Sequence, residues 1–238
     1  MILLAMPYHD PNGSKTDELR KAIPIFNKIF DGIVAHVSDT TDTISQKILS
    51  ENCTDVKTEP PCKDLINEIG RIRRELLSLC LSQSPESIFY CDGDRAVHWA
   101  NNYPDELKSV VNNIHVSDFT VYGRTNRAWI SHPESQKSTE SIIDKQFANL
   151  TGLEWDVLAA ARGISKNAAQ FIVDCSEDDT FGVDVSWPIL IQENSDRFSM
   201  SYVRVDGLSF EGENNDESIN EWIHRAKIVQ VELESMRW

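Results

Sequence analysis

Residues 88–91 read Ile-Phe-Tyr-Cys, apolar without a break, and Asp92-Gly93-Asp94 follows at once. So short a run, rich in β-formers, fits a strand covered on both faces, which is the situation of a parallel sheet sandwiched between helices. Upstream lies the strongest helical pattern in the chain, over 63–81, with Leu65, Ile69, Ile72, Leu76 and Leu79 on a single face. A helix with one apolar stripe must lie on the sheet and feed the buried strand. The two carboxylates then fall at the carboxyl end of a central strand, the edge where open α/β sheets bind ligands.

The same alternation runs back to the amino terminus. Residues 2–6 read as a buried strand ending at Pro7, 16–30 as a helix, 32–37 as a second strand and 42–49 as a helix. The polar stretch 51–61 contains two prolines and reads mostly as loop, with at most a short strand near Val56. Further on, 119–122 is a probable strand, 123–133 a loop rich in Arg, His and Pro, and 139–150, 154–161 and 165–173 three helices separated by Gly152 and Gly163. Residues 187–192 suit a short helix capped by Ser186 with Pro188 near its first turn; alternation of Phe181, Val183, Val185 and Trp187 offers a strand instead. A strand over 199–205 follows. The chain closes on a helix over 218–238, opened by a Ser218/Glu221 capping box and striped by Ile219, Trp222, Ile223, Ala226, Val229, Leu233 and Met236.

Composition narrows the function classes. The 238 residues carry 23 Lys plus Arg against 38 Asp plus Glu, a formal charge of −15 that opposes nonspecific binding to nucleic acid or anionic lipid. A phosphate-bearing ligand would need a bound cation or clustered arginines. Five scattered cysteines without a C-x-x-C pair signal neither a disulfide framework nor a zinc site, and no apolar run approaches membrane-spanning length. The expectation is a cytoplasmic protein with no integral membrane segment.

Tyr90-Cys-Asp92-Gly93-Asp94-Arg95 is the sharpest chemical signal. Two carboxylates one residue apart can share a hard cation, Mn²⁺ or Mg²⁺, in a turn with no room for bulk at Gly93. A second unusual stretch, 123–133, gathers Arg124, Arg127, Trp129 and His132. Trp129 there is either a sugar-stacking face or a core residue, and the arginines either hold an anion or offset the acidic surface.

The first strand and loop, the long helix, and the strand ending in Asp-x-Asp together resemble the nucleotide-diphospho-sugar transferases of the GT-A fold over roughly residues 1–130. Gly70-Arg71-Ile72-Arg73-Arg74 resembles the glycine and basic segment that opens the corresponding helix in that family. The resemblance implies an α/β, Rossmann-like three-layer sheet with helices on both faces. Residues 1–130 would form the nucleotide-sugar-binding part, and 131–238 a small acceptor-side region of the same domain. It also implies that Pro7, Tyr8 and Asp10 line the nucleoside pocket, that Asp39 contacts base or ribose, and that Asp92 and Asp94 bracket a metal-bound diphosphate. Arg73 or Arg74 would add a second cation, and Arg124 and Trp129 would serve the donor or acceptor.

The implied reaction moves a sugar from a nucleotide-diphospho-sugar donor to an acceptor the sequence does not identify. Charge gathers on the leaving phosphate as the bond breaks, and a cation there lowers the barrier. An inverting enzyme of this family also carries a carboxylate base well beyond the Asp-x-Asp. Asp184, with a helix and a strand after it, and the acidic cluster Glu177, Asp178 and Asp179 are the two candidates. Two further classes remain open: a sugar-phosphate nucleotidyltransferase, and a noncatalytic nucleotide-sugar-binding protein, with homo-oligomerisation possible for each.

Overall fold

The computed structural model describes residues 1–210 and 217–237. One mixed seven-stranded sheet runs through the chain: β1 (Ile2–Tyr8), β2 (Gly32–Ser38), β3 (Asp55–Glu59), β4 (Ser87–Cys91), β5 (Phe119–Arg124), β6 (Ala161–Ser165) and β7 (Met200–Val205). Their spatial order is β3-β2-β1-β4-β6-β5-β7. β6 alone runs antiparallel to its neighbours, so it reverses the sheet between β4 and β5. The pairings β1–β2, β1–β4, β2–β3 and β5–β7 are all parallel.

Side-chain alternation assigns the two faces. Leu4, Met6, Phe89 and Cys91 point toward one apolar layer, with α1 (Thr16–Ile29), α4 (Gly93–Asn102) and α5 (Pro104–Asn112). Leu3, Ala5, Ile88 and Tyr90 point toward the other, with α3 (Leu65–Ser82), α8 (Lys166–Cys175) and α9 (Val183–Gln192). A third cluster, Ile143, Phe147, Val157, Val185 and Ile189, lies where α7 (Glu134–Thr151), α9 and α10 (Ile219–Ser235) meet. The remaining helices are α2 (Thr43–Asn52), capped by Asp42, and the five-residue α6 (Asn126–Ile130).

Several sequence expectations need correction. Pro7 does not end β1, which continues to Tyr8; β4 pairs with β1 only as far as Ala5, so Pro7 faces no ladder partner on that side. The stretch near Val56 is a five-residue edge strand. Residues 123–133 are not simply loop, because Arg124 completes β5 and α6 follows. No helix forms over 154–161. Tertiary partners satisfy that backbone instead: Tyr202 Oη and Asp144 Oδ1 each meet a main-chain N–H, of Asp156 and Val157, at 3.2 Å, and the Arg162 guanidinium donates to the carbonyls of Val157 and Ala159. Gly163, expected between helices, sits inside β6.

The helical reading of 187–192 is the one observed, and α9 begins earlier, at Val183. Pro188 lies within it and has no N–H to give the carbonyl of Asp184, which accepts from Arg162 at 3.3 Å instead. α10 forms from its Ser218 cap, but its expected apolar face is only half used: Ile219 and Ile223 are 73% and 49% exposed, while Ile228, Glu232 and Ser235 turn inward. No helix among the described residues is long and apolar enough to cross a membrane.

Candidate active site

β4 is buried along its whole length and delivers Asp92 and Asp94 to the carboxyl edge of the sheet. They do not form a free loop. Asp92 is the N-cap residue of α4, and Asp94 lies in its first turn. Gly93 is required because a Cβ there would stand 2.6 Å from the carbonyl oxygen of Pro7, where α4 begins against the end of β1.

Two cavities meet at this point, with Asp92, Asp94 and Phe181 in the walls of both. The first, of about 410 Å³, opens over the ends of β1 and β2. Pro7, Tyr8, Asp10, Lys15, Ser38 and Glu59 line it, with an apolar wall from Pro60, Pro61, Leu65, Ile69 and Ile72. Pro7, Tyr8 and Asp10, which the resemblance assigned to a nucleoside pocket, thus line a cavity together. The Asp10 carboxylate is already occupied, accepting from the backbone of Ser14 at 3.0 Å and of Lys15 at 2.8 Å, so it shapes the turn into α1. Asp39 is exposed and outside the lining, where Ser38 and Glu59 stand instead, because its backbone N–H is pinned to Glu59 O at 2.9 Å.

The second cavity, of about 280 Å³, lies between α7, α9, α10 and residues 158–160, just before β6, and is dense in charge. Arg73, 1% exposed, forms ion pairs with Asp184 at 2.8 Å and Asp92 at 3.2 Å, and Arg162 stands 3.4 Å from the other oxygen of Asp184. Two guanidiniums therefore share the Asp184 carboxylate, which clamps Arg73. Arg124 is equally buried, held by Glu140 and by Asp156 at 2.6 Å, and its guanidinium lies 4.5 Å from the Trp129 ring. Its charge is spent inside the protein. Trp129 lines neither of these two cavities and sits instead in a shallow outer groove with Trp155 and Tyr202.

Arg74, Asp178 and Asp179 are also elsewhere. Arg74 bonds the carbonyl of Asp178 and the carboxylate of Asp179, while the Asp178 carboxylate accepts from the Thr180 backbone at 2.9 Å, the Thr180 hydroxyl at 2.7 Å and the Ser186 hydroxyl at 3.1 Å. Gly70 explains why. The Ile66 carbonyl is taken by Phe181 N–H at 2.9 Å, and Gly70 N–H turns to Asp179 O at 2.8 Å, so residues 179–181 lie directly against an opened turn of α3. Any Cβ at position 70 would sit 2.6 Å from the Asp179 backbone. The motif at 70–74 is thus a docking point for this segment in mid-helix, and Asp178 and Asp179 belong to it.

Residues that sequence reasoning missed include Arg95, Glu140, Arg162 and Glu232. Arg162 had a signal, a lone charge between Ala161 and Gly163 in an otherwise apolar stretch, and so did Glu232, which stands one helical turn after Ile228 on the inward face of α10. His132, assigned only a possible polar role, is buried, with Nε2 3.0 Å from the Leu208 carbonyl; burial first, then the charge of Arg124, lowers its pKa to about 4.

The carboxylate pair suits a divalent cation. Burial pushes the Asp92 carboxyl above its ordinary range, and Arg73 and the Tyr90 hydroxyl only partly offset this. Asp94 is held below the usual range: desolvation opposes ionisation, but Arg95, bonded at 2.8 and 3.0 Å, outweighs it, and the side chain stays 55% exposed in the cleft. Two hard oxygens, one under-compensated, at the junction of two cavities are appropriate ligands for Mg²⁺ or Mn²⁺. The other acidic grouping, His36 with Glu59 and Glu75, is already neutralised: Lys57 and Arg71 each bridge both glutamates, Arg71 at 2.8 Å to each.

No protein-family model and no curated protein matches this sequence. Solved structures do match. Across 99% of its length the chain is similar to glucosyl-3-phosphoglycerate synthase from Mycobacterium tuberculosis in complex with Mn²⁺, uridine diphosphate and phosphoglyceric acid, with a TM-score of 0.68, 13% identity and 78% of that chain covered. A further structure of the same synthase gives a TM-score of 0.67 at 14% identity and 80% coverage, and its complex with Mg²⁺ and uridine diphosphate gives 0.64 at 12% and 79%. The fold is therefore the GT-A fold of these solved structures, in the three-layer α/β form expected from the sequence.

Proposed function

We propose that the protein is a metal-dependent glycosyltransferase that moves a sugar from a nucleotide-diphospho-sugar donor, in the first instance a uridine one, to a small hydroxylated acceptor. The observation that carries this reading is the position of Asp92 and Asp94 at the carboxyl end of β4, shared by both cavities. The larger, apolar-walled cavity receives the nucleoside against Pro7 and Tyr8, and the smaller, charged one receives the acceptor. Residues 1–130 supply most of the first and 131–238 most of the second, within one sheet.

Asp92 and Asp94 would hold Mn²⁺ or Mg²⁺, which supplies Lewis-acid stabilisation of the departing diphosphate. The chain's own contribution is positioning. Arg73, fixed between Asp92 and Asp184, keeps the Asp92 carboxylate aimed at the junction and adds a buried positive charge to it. The bonding of Asp184 removes the main argument for it as an unencumbered base. Asp178 and Asp179 have no place in the transfer step.

The test is thermal stabilisation by UDP, GDP and their glucose conjugates, with Mn²⁺ and with EDTA, followed by nucleotide release with glycerol, glucose and phosphoglyceric acid as acceptors. Stabilisation by a nucleotide that EDTA abolishes supports the reading. Indifference to every nucleotide in the presence of Mn²⁺ would refute it.

A further inference from the structure

Among the described residues, every arginine and carboxylate lining the smaller cavity has a partner of opposite charge, with one exception. Arg73 is matched by Asp92 and Asp184, Arg124 by Glu140 and Asp156, Arg95 by Asp94, and Arg225 by Glu221. Glu232 is the exception. It projects from α10 into this cavity, is 2% exposed, and among the described residues makes no hydrogen bond and no ion pair. Its oxygens are not among the enclosed unpartnered atoms of the packed interior, so they face the cavity, where a ligand or water can engage them.

We propose that Glu232 is an acceptor-binding residue, whose carboxyl hydrogen-bonds a hydroxyl of the small polyhydroxylated molecule seated in this cavity. The assignment rests on reading the cleft as a glycosyl-transfer site, and it deepens that reading by naming the group that selects the acceptor. Its surroundings favour a hydroxyl over a charged group. Burial, reinforced by Asp184, Glu140 and Asp144, pushes the carboxyl well above the ordinary carboxylate range, which favours the protonated form, able to donate as well as accept. A hydroxyl offers the matching pair of roles. The placement on α10 gives the closing helix a function: the acceptor cavity is incomplete without residues 228–232.

The test compares Glu232→Gln, which retains hydrogen bonding, with Glu232→Met, which fills the space with no polar group. For Met the expected result in the unliganded protein is a raised Tm, since an unpaired buried acid has been replaced by an apolar group of similar size. A lowered Tm for Met would show that the carboxyl is a structural contact and overturns the assignment without any substrate. In the transfer assay, Met should raise KM for the acceptor by about tenfold with the donor KM unchanged, and Gln should restore it. Equal acceptor KM in wild type and Met overturns the role of Glu232 while leaving the transferase reading intact. Absence of transfer by the wild type to any member of the acceptor panel, with no metal-dependent nucleotide binding, removes the transferase reading and this assignment with it.

Discussion

Two acidic pairs, Asp92 with Asp94 and Asp178 with Asp179, look much alike in the sequence and have opposite fates in the fold. The first follows a strand buried over its entire length, so the sheet carries it to the ligand-binding edge and leaves its carboxylates facing two cavities. The second has its backbone bonded to an opened turn of α3 and its oxygens consumed by Arg74, Thr180 and Ser186. The carboxylates of both pairs accept hydrogen bonds, from Arg73, Tyr90 and Arg95 in the first, and what sets the first pair apart is that it lines the junction of two cavities.

The comparison can be broken most directly at the first pair. Asp94→Asn or Asp92→Asn should lower the transfer rate by about 100-fold or more and abolish Mn²⁺-dependent nucleotide binding, measured by nucleotide release and calorimetry. If both variants keep wild-type turnover, the two pairs are equally structural.

Gly70→Ala strikes the anchor of the second pair. Its new Cβ must displace the Asp179 backbone from 2.6 Å, and denaturant titration should show a loss of about 1–3 kcal/mol. Asp178→Ala removes one acceptor from three donors and should cost about 1–2 kcal/mol by the same measurement, with the transfer rate at the wild-type level. A rate loss comparable to that of Asp94→Asn would restore Asp178 to the catalytic candidates.

The smallest effect concerns pH and the second cavity. The folded protein holds His132 neutral down to about pH 4, whereas the unfolded chain protonates it near 6.5. Above 6.5 neither state binds the proton and the group is neutral in the balance. Between 6.5 and 4 the unfolded state binds more protons, so this group's contribution to stability falls as pH falls. His132→Asn should therefore lose less stability than wild type between pH 7 and pH 4.5 in parallel urea titrations; equal losses would mean that His132 is not buried as a neutral group.

Reading the chain alone reached different depths in the two halves. In the amino-terminal half the elements alternate locally. The Leu65 to Leu79 periodicity and the Ile88–Cys91 run each report a nearby environment and appear as α3 and β4, although the buried face of α3 is Ile66, Ile69, Ile72, Arg73, Leu76, Leu77 and Cys80, and Leu65 is exposed. In the other half, β6 is a five-residue strand whose sequence, Ala-Arg-Gly-Ile-Ser, has little β character, and it pairs with β4 some seventy residues away in sequence. Nothing local marks it as the strand that reverses the sheet. The same holds for residues 154–160, whose helical spacing was overridden once Tyr202, Asp144 and Arg162 supplied hydrogen bonds to their backbone.

The site divides along the same line. Asp92 and Asp94 were legible because they follow a buried strand directly, and hydrophobic burial is a short-range signal in sequence, whereas Pro7 and Tyr8, the last residues of β1, were named only through the family resemblance. The pairing of Arg73 with Asp184, the internal use of Arg124, the hydrogen bonds of Asp178 and the absence of an ion-pair partner for Glu232 among the described residues all depend on which charges from distant segments meet in a medium of low polarity. The amino-acid order set the periodicities, and with them the layers and the edge where the carboxylates emerge. Only tertiary packing decided which charges neutralise one another and which face an open cavity, because ion pairing joins residues up to a hundred or so positions apart and leaves no periodic trace along the chain.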